Sequence, residues 1–161
     1  MHKFLLCIIP VFLCTGCIFS RPEPVLSEIG LSKERGALIA PINELRFQER
    51  FNVTDHEIVS VVRFDHVSNG TTVQATWFSP DDRAIPFAQN AILIASGAKI
   101  ARFGIASEDD WKPAPYMLDI RAWNGESEPR MTASGQVHFF IGMNDEEVDA
   151  YWKSVPERQR P

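Results

Sequence analysis

The sequence predicts an all-β protein, a two-sheet antiparallel sandwich followed by a short C-terminal helix. Three observations carry this. After residue 25, apolar and polar residues alternate with period two in stretch after stretch, as they do in strands with one face in a core. Turn-forming pairs separate these stretches at Asn69-Gly70, Ser96-Gly97 and Asn124-Gly125, a spacing typical of sandwiches and barrels. Near the end the period changes, and Val148, Tyr151, Trp152 and Val155 fall at i, i+3, i+4 and i+7, one face of a helix.

In chain order, Val25, Ile29 and Leu31 open the first strand, and Leu45, Phe47, Phe51 and Val53 suggest a second, broken at Glu49. Ile58 to Val67 is rich in β-branched residues, and Ser68-Asn69-Gly70 after it suits a hairpin turn, because Asn-Gly tolerates positive φ. Val73, Ala75 and Trp77 share a face of the next strand, which Ser79-Pro80-Asp81-Asp82 ends. Phe87 to Ala95 and Lys99 to Ile105 are expected to pair with each other across Ser96-Gly97. Tyr116, Leu118 and Ile120 alternate on one strand, and Val137, Phe139 and Ile141 on the last. Asn144 with Glu147 three residues on has the form of a helix cap, and Pro156 ends the helix.

The N-terminus has a different character. Lys3 precedes an apolar run from Phe4 to Leu13, too short to span a bilayer, which takes about 20 residues. A basic start, a short apolar core and small residues describe a secretory signal. Leu13-Cys14-Thr15-Gly16-Cys17 resembles the lipobox of bacterial lipoproteins, matching at Thr15, Gly16 and Cys17, with Cys14 where that pattern usually has Leu. The resemblance implies cleavage after residue 16 and acyl chains such as palmitate on Cys17. The three cysteines, Cys7, Cys14 and Cys17, all lie in this region, so the mature domain would hold neither a free thiol nor a disulfide, as suits an oxidising compartment. Ile18 follows Cys17. In the enterobacterial systems this resembles, Asp at that position retains a lipoprotein at the inner membrane, so the resemblance implies the outer membrane, with the domain facing the periplasm or the exterior. The expected organisation is a signal peptide over 1–16, a lipidated tether over 17–24, a sandwich over 25–143 and the helix and tail over 144–161.

Two stretches are similar to immunoglobulin-like and fibronectin type III-like sandwiches. Gly70 to Trp77 resembles the strand that delivers the core tryptophan of such domains. Trp111 to Leu118 resembles the approach to strand F, which implies a tyrosine corner at Tyr116, a core position at Leu118 and an opposing core position at Val62. The pattern is also similar to domains of this kind in bacterial envelope lipoproteins. A fold of this kind does not by itself imply an activity.

Charge narrows the function classes. The chain carries a net −5; losing residues 1–16 removes Lys3 alone, leaving 15 basic and 21 acidic residues and a net −6. Nucleic acid is therefore not an expected partner. Asp55-His56 and Asp65-His66 do not form a metal motif, since neighbours on a strand face opposite ways, and His138 stands apart. Glu108-Asp109-Asp110 and Asp81-Asp82 lack calcium-loop spacing, and no Gly-x-Ser-x-Gly surrounds any serine. No cofactor is expected. Trp123 falls on the face opposite Tyr116, Leu118 and Ile120; it is a candidate exposed aromatic for a glycan ring or a protein hot spot, or else packs beneath the C-terminal segment. The Tyr151 and Trp152 stripe either lids one sheet or docks into a partner. The expectation is a lipid-anchored, non-enzymatic module that binds or assembles with an envelope protein. A glycan- or peptidoglycan-binding module is the alternative, and an enzyme acting on envelope polymers a further one.

Overall fold

The computed structural model describes residues 22–34, 36–80, 85–95, 97–125 and 133–156. Cys17 and the rest of residues 1–21, Asp81-Asp82, Ser96 and the tail from residue 157 lie outside the described residues.

Among the described residues, eight strands form two sheets. β1 (Val25–Ser32), β3 (Glu57–His66) and β6 (Ile100–Ala106) make one sheet in the order β1-β3-β6. β2 (Arg50–Phe51), β4 (Thr71–Phe78), β5 (Pro86–Ile94), β7 (Ala114–Asn124) and β8 (Ala133–Ile141) make the other in the order β2-β8-β7-β4-β5. Every pairing is antiparallel except the two-residue β2–β8 contact. The inner faces meet in one core of Val62, Val73, Trp77, Phe103, Leu118, Ile120 and Phe139 with their neighbours. Each fully buried aliphatic side chain there contributes about 1.5–3 kcal/mol. This is the immunoglobulin-like arrangement: a fully buried tryptophan, Trp77, on β4, and on β7 a tyrosine two residues before a fully buried Leu118. The Tyr116 hydroxyl donates to the Lys112 carbonyl oxygen at 3.0 Å, closing a tyrosine corner. Val62 is fully buried in the opposite sheet.

β3 reads as a near-continuous β-branched run because both of its faces are covered. Ile58, Val62 and Phe64 enter the main core. Val59 and Val61 point outward into a second cluster with Ala37 and Leu45, contributed by the segment between β1 and β2. That segment replaces the strand expected over Leu45 to Val53. It forms a 3-10 turn at Ile42–Glu44, and only Arg50–Phe51 adopts strand pairing. Leu45 belongs to the outer cluster and Phe51 to the main core; the chain crosses from one sheet to the other between them, so their alternation was coincidental.

Two expected hairpins are crossovers. β3 and β4 lie in different sheets, so the turn at Ser68-Asn69-Gly70 spans the sandwich rather than joining a ladder, with Gly70 at φ 78°. β5 and β6 likewise do not pair: β5 pairs with β4 and β6 with β3. The turn residues were read correctly, but a turn does not specify which sheet receives the next strand.

The C-terminal helix α1 (Asp145–Ser154) carries the expected capping box. The Asn144 Oδ1 accepts from the Glu147 amide at 3.0 Å, and the Asn144 amide donates to the Glu147 carboxylate at 2.8 Å. Asp145, Glu146 and Glu147 fill the first turn and Lys153 the last, each complementing the helix dipole. Arg50 pairs with Asp145.

Candidate interaction surface

The outer face of the five-stranded sheet displays Phe140, His138 and Gln136 from β8 and Met117, Asp119, Arg121 and Trp123 from β7, since their even-numbered β7 neighbours face the core. α1 covers one side of it. Tyr151 and Trp152 make edge contacts to Phe140, with centroids at 5.5 and 5.7 Å, and both rings meet His138. The Tyr151 hydroxyl lies 2.7 Å from His138 Nδ1. Val148 and Val155 are buried. The helix stripe is therefore satisfied within the domain. Tyr151 and Trp152, expected to reach either the sheet or a partner, are held by the sheet and are only half-buried.

Trp123 requires a correction. It stands on the outer face, as expected, but is only 5% exposed. Strand alternation reports which face a residue occupies, not what lies over that face. At that exposure the ring offers little free face for a sugar to stack on.

The middle of this face is polar. Asp119 is buried on β7. Its Oδ2 accepts from Arg121 Nε at 2.7 Å and its Oδ1 from Gln136 Nε2 at 3.2 Å. These bonds occupy both carboxylate oxygens within the sheet, giving Asp119 a structural part. His56, Asp65 and His66 are exposed, and Asp55 is tied to Lys33 at 3.0 Å. Among the described residues no three His, Cys, Asp or Glu side chains converge as a metal site would need. A cleft lined by Ile29, Phe47, Gln48 and Val137 encloses about 190 Å³, below the 300–1,000 Å³ usual for small-molecule sites.

The feature that sequence reading missed is β5. It ends the five-stranded sheet, and among the described residues no strand pairs with its far side. Its nine residues, Pro-Phe-Ala-Gln-Asn-Ala-Ile-Leu-Ile, carry no charge. Ile85 is 65% exposed, Phe87 43% and Leu93 56%. Proteins normally protect such an edge with charges, kinks or a covering segment. The other edges here follow that rule. Along β1, the Gln48 amide donates to the Leu31 carbonyl, and Glu28 pairs with Arg63. β2 is two residues long. β6 carries Arg102, which donates to the Leu38 carbonyl of the covering segment. β5 has only Pro86 and one irregularity opposite Trp77 and Phe78, both at its start. At about 3.3 Å per residue it presents an edge of about 30 Å. A run of uncharged residues bounded by a proline could have signalled this in the sequence, but edge status depends on the sheet order.

No family model and no curated protein matches the chain. A solved structure to which it is similar is the β-glucuronidase of Bifidobacterium dentium complexed with coumarin-3-O-glucuronide, at 16% identity and a TM-score of 0.47, over 74% of this chain. The match spans 18% of that protein's length.

Proposed function

We infer that this protein is a lipid-anchored envelope module that binds another protein by accepting an extended segment along β5. The carrying observation is the uncharged, exposed β5 edge in a sandwich whose other edges are short, charged or covered. Strand addition uses this geometry: main-chain bonds supply affinity and alternate side chains supply specificity. The anchor at Cys17 and the outer-membrane address rest on the lipobox resemblance, and the acidic balance of the chain directs the partner away from nucleic acid. Binding and assembly, rather than catalysis, is the activity we assign.

The test is site-specific photocrosslinking in cells from Gln89, which is exposed on β5. The expected result is a discrete crosslink to an envelope protein that disappears in Ala91→Lys, a substitution at an exposed site on the same strand, while the melting temperature stays unchanged. A crosslink that persists in Ala91→Lys, or none from any exposed β5 position, overturns the reading.

A further inference from the structure

We propose that the end of the sandwich from which the tether leaves rests on the membrane, with the corner formed by Leu93, Ala98, Lys99 and Ile100 in the bilayer interface. This rests on the Cys17 anchor inferred above. The first argument is reach. Pro22 lies five positions after Cys17, and a fully extended chain covers at most about 3.6 Å per position, so about 18 Å in all. Pro22 is already fastened to the domain: its carbonyl oxygen accepts from Ser68 Oγ at 2.9 Å and from Asn124 Nδ2 at 3.2 Å. Both donors belong to the turns that close one end of the sandwich. The same end contains the start of β1, the end of β5 and the start of β6, since Val25 pairs with His66, Ile94 with Thr71 and Ile100 with Arg63.

The second argument is the chemistry of that end. Val25 is 49% exposed and Ile100 38%, Leu93 is the most exposed large apolar side chain of β5, and Ala95, Gly97 and Ala98 are exposed between β5 and β6. The sequence from 85 to 107 contains no acidic residue and two cations, Lys99 and Arg102. Apolar side chains flanking a lysine suit an interface, where the apolar groups enter the headgroup boundary and the lysine stem lies along them with its ammonium in water. The third argument is polarity. Glu57, Glu108, Asp109, Asp110, Asp145 and Glu146 gather at the opposite end, where β3 begins, β6 ends and α1 starts, against Glu23 and Asp65 among the described residues at the tether end. Seated this way, the acidic end points away from anionic lipid, and β5 stands upright with its free edge facing sideways above the bilayer.

The experiment uses the full lipidated chain in vesicles of phosphatidylethanolamine and phosphatidylglycerol. Acylation consumes the Cys17 thiol, so a single new cysteine takes an environment-sensitive fluorophore cleanly. Ala98→Cys and Asp109→Cys, both at exposed sites, report the two ends. Expected is at least about twofold stronger quenching by headgroup-borne nitroxides at position 98 than at 109, with a blue-shifted emission. Adding Leu93→Asp and Ile100→Asp should remove the difference while leaving thermal unfolding unchanged. Equal quenching at both positions, with the intact mass showing acyl chains on Cys17, overturns the seat and leaves the anchor standing. A mass without acyl chains removes both.

Discussion

Tyr116 serves the fold through both its ring and its hydroxyl. The ring stacks on Phe139 at 5.5 Å and meets Trp111 and Phe87 edge-on, while the hydroxyl fastens the turn before β7 through the Lys112 carbonyl. Tyr116→Phe keeps the ring contacts and loses one hydrogen bond, so chemical denaturation should show a loss of about 1 kcal/mol. Tyr116→Ala also loses ring packing and should cost about 3–5 kcal/mol. These positions were legible because Trp77, Tyr116 and Leu118 stand at fixed offsets within their own strands. Trp123 was legible only in part: local spacing gave its face but not its burial. Asp119 was legible only in part as well: Arg121 is two residues away on the same strand, but Gln136 reaches it only when β7 pairs with β8.

At the scale of elements, α1 was readable almost to the residue, since its cap, its acidic first turn, its apolar stripe and its proline stop are all local. Asn144→Ala removes the side-chain half of the capping box and should lower stability by about 1 kcal/mol, measured by thermal or urea unfolding; an unchanged midpoint would contradict a stabilising cap. The strands were readable, but their partners were not. Gly70 and Gly97 both take positive φ, at 78° and 84°, and both turns lead into the opposite sheet. A two-residue hairpin and a crossover use the same residues, and only the non-local ladder separates them. The openness of β5 escaped sequence reading for the same reason, because the residues that make it an edge are those absent from its flank in the sheet order.

Across the whole molecule, the two ends of the sandwich differ in chemistry and its sides differ in protection. One end holds Pro22 and exposes Leu93, Lys99 and Ile100 beside Glu23 and Asp65; the other gathers six carboxylates. One side is lidded by α1, and another ends in the β5 edge, which no other strand among the described residues pairs with on its far side. A tether at one end and an upright free edge give a module that works beside a membrane, with partner binding decided by a charge placed on β5 and seating decided by Leu93 and Ile100. Both depend on the anchor. The measurement that tests this most directly is fractionation of cells expressing the wild-type chain or Cys17→Ala. The account predicts that wild type stays with the membranes through high-salt and carbonate washes and is released only by detergent, while Cys17→Ala becomes soluble with an unchanged melting temperature. Equal partition of the two forms would contradict it.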